Sequence, residues 1–122
     1  TAEGCVDRAT VVQDCHSRMG AYAAPATVAG IMFNFGWLPG GDHTTFSHAD
    51  TSIAAIAAGL DLLKAGGVMT LCIYHGRENG TAERDAILAY LPTIDPRRYT
   101  VIRGDFTNRT GDVPIPVFII KE

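Results

Sequence analysis

The chain has 122 residues, 47% apolar and 19% charged, with a formal net charge of −3. That is enough for one domain with one core and excludes an extended disordered chain. The negative balance argues against autonomous nucleic-acid binding, so any RNA contact needs a local basic patch, a second subunit or residues beyond this chain.

In chain order, Ala9 to Gln13 reads as a short strand and Ser17 to Ala24 as a short helix stopped before Pro25. Val28 to Phe35 is a continuous apolar run, as expected for a strand covered on both faces. A loop rich in Gly and Pro follows. Ser52 to Lys64 carries Ile53, Ile56, Leu60 and Leu63 at helical spacing, with Asp50 or Thr51 to cap it and Gly66-Gly67 to end it. Val68 to Tyr74 predicts a second buried strand. Thr81 can cap the next helix, with Glu83 near its positive end, and Pro92 stops it. Tyr99 to Phe106 and Pro116 to Lys121 read as two more strands. No helix separates them, so they form an antiparallel pair. The alternation predicts an α/β domain with a largely parallel sheet.

Other features limit the options. The longest apolar blocks fall short of the ~20 residues a membrane helix needs, so no membrane partner is expected. No basic start with an apolar stretch marks a signal peptide. Cys5, Cys15 and Cys72 are odd in number and lack C-x-x-C spacing, which argues against a disulfide framework or zinc knuckle and for a reducing, cytoplasmic setting. Cys72, in an apolar strand, reads as core.

The segment Asn34 to Asp42 leaves the carboxyl end of a buried strand, where open α/β sheets place their ligands. Asn34 offers a carbonyl acceptor, and Trp37 a flat apolar face. An acceptor beside an aromatic platform suits a nucleobase bearing an amine. The same residues also suit a plain turn-rich loop at a strand end.

The run Phe33-Asn34-Phe35-Gly36-Trp37-Leu38-Pro39-Gly40-Gly41-Asp42-His43 resembles the signature of a family first described as ribosomal-RNA methylases. It is better described as the methyltransferase acting on 5-aminomethyl groups of the tRNA wobble uridine. Trp37 stands where Tyr is more usual. Leu62 to Gly67, Tyr74-His75-Gly76, Asp105-Phe106, Asn108 and Pro114 agree with the same family, and Cys15-His16 falls where it usually has Ser-His.

The resemblance implies a class I methyltransferase (Rossmann-like) sheet whose last strand runs antiparallel. It implies S-adenosylmethionine as cofactor and tRNA as partner. Asn34 and Asp42 would be catalytic, Asn34 lying near the transferring methyl. Cys15, His16 and Asn34 would approach the cofactor, and Trp37, Tyr74 and His75 would line the substrate side. Such domains open with a strand, a Gly-rich turn, a helix and a second strand ending in an acid. Nothing before Ala9 matches that unit. The expectation is therefore an N-terminally truncated single domain over 1–122, the C-terminal two-thirds of a class I methyltransferase domain. The natural protein would be longer by roughly 60 residues, on the ~30-residue scale of a βα unit. The open sheet edge predicts a homodimer.

Two rival readings remain. One is a non-catalytic binding module built on this fold. The other is a metal-dependent hydrolase using His16, His43, His48 or His75 with Asp42 or Asp50, but no H-E-x-x-H or H-x-H spacing occurs.

Overall fold

The computed structural model describes residues 9–10, 12–35, 49–74, 78–111 and 113–122. A short 3-10 helix, His16–Ala21, precedes β1 (Val28–Phe35). Then come α1 (Ala49–Leu62), β2 (Leu63–Ile73), α2 (Glu78–Tyr90), β3 (Tyr99–Arg103) and β4 (Ile115–Lys121). The four strands form one sheet in the order β1-β2-β4-β3. β1 and β2 are parallel, and β4 lies antiparallel between β2 and β3. The closing antiparallel pair is thus borne out.

Both helices are built on a buried stripe. In α1, Ser52, Ala55, Ile56 and Leu60 are buried; in α2, Glu83 and Ile87 are. The apolar ones meet Phe33 and Phe35 of β1, Met69, Leu71 and Ile73 of β2, and Val117 and Ile119 of β4 in one core. Asp50 lies within the first turn of α1, where its carboxylate accepts the Thr51 N–H at 2.9 Å.

The end of α1 is held by other parts of the fold. The last carbonyls of a helix lack intrahelical partners. Here Tyr99 Oη donates to the Leu60 carbonyl at 3.2 Å and Lys121 Nζ to that of Leu63 at 2.7 Å. The Ala26 and Thr27 amides reach Asp61 and Leu62 at 2.9 and 3.0 Å. The helix therefore stops at Leu62, before the two glycines, and Leu63 already pairs with Val28. Gly66 and Gly67 turn the chain one step later. While β1 advances from Val28 to Gly30, β2 advances from Leu63 to Val68. Gly66 takes φ 81°, and a Cβ on Gly67 would lie 2.8 Å from the Lys64 carbonyl and 3.1 Å from that of Val28. Regular pairing resumes at Val68, where the sequence placed the start of the strand.

Several expectations are corrected. Among the described strands only β1–β2 is parallel and the other two pairings are antiparallel, so the sheet is not largely parallel. α2 begins at Glu78, so Thr81 lies inside it rather than capping it. Residues 9, 10, 12 and 13 carry no strand, since no neighbouring strand pairs with them. β3 stops at Arg103, because Gly104 makes a last bond to the Pro116 carbonyl (2.8 Å) and Pro114 offers no N–H to extend the ladder. Lastly, β1 and β2 are covered on one face only by the described residues. Met32 is 82% exposed, and Val68, Ile102 and Phe118 are also exposed on that face. Their register places Met32, Thr70, Phe118 and Ile102 in one row across all four strands.

Candidate active site

The carboxyl ends of the parallel strands β1 and β2 are joined by the Tyr74 N–H, which donates to the Phe35 carbonyl at 2.9 Å. Side chains alternate along β1, so this end presents two different faces. Phe33 and Phe35 point into the core beneath the helices, and Asn34 points to the open face, exposed.

On the helix side, His16 lies against the two phenylalanines. Its ring meets Phe33 edge-on at 5.9 Å and Phe35 at 5.6 Å, and the two phenyl rings stack at 5.1 Å. Burial pushes the His16 imidazole below its ordinary pKa of 6.5, with the Glu83 charge partly opposing the shift. The imidazole is thus neutral near pH 7. Cys15, next to it, is exposed, and its sulfur lies 3.0 Å from Ser17 Oγ. Hydrogen bonds from the Ser17 side chain and backbone hold the thiol below its ordinary range. The segment is closed by Asp14, whose carboxylate accepts from the Tyr22 hydroxyl and from the Cys15 N–H, each at 2.7 Å.

On the open face, Asn34 is in register with Cys72 of β2. Cys72 is half-buried, not core, because it alternates with the fully buried Leu71 and Ile73. Tyr74, two residues on, shares its face. The phenol of Tyr74 is pushed above its ordinary pKa, first by its hydrogen bond to the Cys72 sulfur and then by the charge that thiol can carry. The fold therefore gathers Asn34, Cys72 and Tyr74 on one side of the strand ends, and Cys15 and His16 on the other. Trp37, Asp42 and His75 lie outside the described residues, as do His43 and His48. Among the described residues no group of His, Cys, Asp and Glu could hold a metal, and no helix is long and apolar enough to cross a membrane.

Two groups escaped the sequence reading. Cys72 could have been found from strand alternation. Glu83 was read as a helix-end charge, yet it is buried against Ser52. The signal was its position four residues before Ile87, on the apolar stripe of α2. A separate cleft of about 300 Å3, lined by Leu60, Asp61, Tyr90, Asp95, Arg98 and Tyr99, lies at the far ends of the helices and takes no part in this grouping.

The arrangement presents an exposed amide at a strand end and, on the opposite face, an imidazole kept neutral by burial.

Comparison with known proteins identifies the family. A family model described as "Putative rRNA methylase" matches residues 1–120. A chloroplastic tRNA (mnm(5)s(2)U34)-methyltransferase of Arabidopsis thaliana is 32% identical over 108 residues, which is 88% of this chain and 39% of the relative. A structure described as a "putative rRNA-methylase" from Clostridium thermocellum superposes with a TM-score of 0.90 at 37% identity, covering 96% of this chain and 62% of the other. A "putative methyltransferase" from Streptococcus mutans, in complex with SAH, gives 0.80 at 26%, covering 93% and 61%. The chain thus spans about two fifths of the curated relative and three fifths of the solved chains. With 1–120 matched by the family model and the open mixed sheet shared with solved methyltransferases, the chain belongs to the rRNA methylase family.

Proposed function

We propose that this chain is the C-terminal part of a class I, S-adenosylmethionine-dependent methyltransferase domain. The reaction is N-methylation of the 5-aminomethyl group of the tRNA wobble uridine. The observation that carries the reading is the exposed Asn34 amide at the carboxyl end of β1, within the family's Asn-x-Gly-aromatic-Leu-Pro-Gly-Gly-Asp run. The substrate is inferred from the curated relative's name, and the cofactor from the solved relative in complex with SAH.

S-adenosylmethionine, when bound, supplies an electrophilic methyl group on a sulfonium that is already a good leaving group. The protein's task is then to position the reactants. The Asn34 carbonyl accepts a hydrogen bond from the target amine and directs its lone pair. Asn34 cannot take a proton, so Asp42, His75 or water receives the one that is lost. His16 stays neutral through burial, and with Cys15 it borders the cofactor. Trp37 walls the target base, and Tyr74 lines the substrate side. The complete protein acts as a homodimer in a reducing, cytoplasmic setting.

The test is transfer of labelled methyl from S-adenosylmethionine by the complete protein. The substrates are tRNA carrying the unmethylated aminomethyl group and, in parallel, ribosomal RNA. Label at the wobble nucleoside of tRNA is expected. Label only in ribosomal RNA would replace the substrate. Cofactor binding without transfer to either would favour a non-catalytic module.

A further inference from the structure

Among the described strands β3 is an edge of the sheet, and its ladder with β4 shows which of its groups look outward. The Gly104 N–H donates to the Pro116 carbonyl at 2.8 Å, and the Glu122 N–H to the Arg98 carbonyl at 2.9 Å. Bonded pairs alternate along an antiparallel ladder. Thr100 and Ile102 therefore bond to β4 as well, while Tyr99, Val101 and Arg103 turn their N–H and C=O away from it. The Tyr99 N–H is taken by the Asp95 carbonyl at 3.0 Å. That leaves Val101 and Arg103 with a donor and an acceptor each that no described residue meets. Such an edge is a template for another strand, and bulges, prolines or charges commonly blunt it. β3 has no proline and no register shift, its one charge is Arg103 at the end, and Ile102 beside it is 47% exposed.

We propose that β3 pairs antiparallel with β3 of a second copy of this chain, with Ile102 on the two-fold axis. This register sets Val101 of each copy opposite Arg103 of the other, and so uses both outward donors and both outward acceptors of each strand. Centring the pair on Val101 would instead turn the Arg103 carbonyl toward the Tyr99 N–H, which Asp95 already occupies. The side chains agree. On the open face the two Ile102 side chains meet at the axis, each beside Phe118 of its own β4, which is also exposed. On the helix face Leu88, Leu91, Pro92, Val101 and Arg103 line a groove of about 220 Å3. The aliphatic stem of Arg103 from the second copy lies over Val101 at this groove, with its charge left in water. Charge completes the match. One step further along the register, Asp105 comes opposite Tyr99, and the Arg98 guanidinium lies 5.5 Å from the centre of that ring. Asp105 and Arg98 are both exposed, and neither forms an ion pair with a described residue. Their meeting occurs twice about the axis. This contact rests on the homodimer read above and does not depend on methyl transfer.

The test uses the complete protein. Light scattering at micromolar concentration should give the mass of a dimer. Ile102→Cys should form a 102–102 disulfide under mild oxidation, because the facing Cα atoms of such a pair lie about 4.5 Å apart, within the span of a disulfide. Val101→Cys is the control: its two copies lie diagonally, about 7–8 Å apart, and should link at least about tenfold more slowly. Peptide mass spectrometry separates these links from any through Cys5, Cys15 or Cys72. Asp105→Arg should weaken the dimer about tenfold or more, and adding Arg98→Asp should bring it back to within about threefold of the parent. Both positions are exposed, so these variants fold. A monomer would overturn the proposal. So would a dimer without the 102–102 link, one that links faster through position 101, or one indifferent to Asp105→Arg. Methyl transfer is scored separately. A protein that forms the link but methylates no tRNA loses the substrate reading and keeps this contact; one that methylates tRNA as a monomer does the reverse.

Discussion

Replacing His16 by alanine probes packing and titration in one experiment. The imidazole meets Phe33 and Phe35 edge-on at 5.9 and 5.6 Å. Contacts of this geometry contribute ~0.5–1.5 kcal/mol each beyond area burial. His16 is only partly buried, so the low end applies, and two contacts give about 1 kcal/mol. The buried part of the ring contributes about 1 kcal/mol more. His16→Ala should therefore cost about 2 kcal/mol at pH 7.5. The pH dependence has a definite sign. Burial holds the folded pKa below 6.5, where the unfolded imidazole titrates. Between those two values the unfolded chain binds more protons, so stability rises with pH. The contribution of the neutral ring is complete above pH 6.5 and is lost as pH falls toward the folded pKa. The gap between parent and variant must then be widest at pH 7.5 and narrow by pH 5.0. Urea unfolding at both values measures it. A gap equal at the two pH values, or wider at 5.0, would refute the burial argument. A gap under about 0.5 kcal/mol at both would refute the packing argument.

Further expectations follow from neighbouring groups. Asn34 is exposed, so Asn34→Ala should move stability by less than about 0.5 kcal/mol while cutting kcat by about 10²-fold or more; equal small losses in both would remove Asn34 from the reaction. Cys15 is exposed and its thiol favours ionisation through Ser17, so iodoacetamide should modify it before Cys72, as read by peptide mass spectrometry. S-adenosylhomocysteine should slow that modification, and unchanged kinetics would place Cys15 away from the cofactor. Lys121→Met strands the Leu63 carbonyl beyond the end of α1. It should cost about 1.5–3 kcal/mol by chemical denaturation; a neutral result would mean water replaces the ammonium.

Much of this fold is legible because its signals are local. The bounds of β1 follow from one apolar run, and Pro92 and Pro114 mark where α2 and the last ladder give out. What was misread depends on distant partners. Ala9 to Gln13 has strand-forming residues but no ladder to join, and isolated strands are not stable. Gly66 and Gly67 looked like a helix stop. The stop falls earlier because Tyr99, Ala26 and Thr27 take the last carbonyls of α1 and Lys121 takes that of Leu63 just beyond it, all from far away in sequence. Asn34, Cys15 and His16 were legible through a resemblance. Their separation onto two faces of β1 follows from strand alternation, which the motif itself does not state.

The same alternation gives the open face its meaning. An apolar run in a parallel strand records burial on both faces, yet the described helices cover one. Met32 therefore stands 82% exposed in a strand whose neighbours Phe33 and Phe35 are 7% and 0% exposed. Oxidation of methionine follows access to its sulfur. The chain carries an internal comparison: Met32 exposed, Met19 partly buried against the core, and Met69 fully buried under α1. Limited peroxide treatment should convert Met32 first, Met19 more slowly, and Met69 only on unfolding. Met32 reacting no faster than Met69 would mean that its face is covered in solution, by another copy of the chain or by residues outside those described. Early oxidation of Met69 would contradict the packing of α1 on β2, and with it the placement of Ser52 that the buried bond to Glu83 requires.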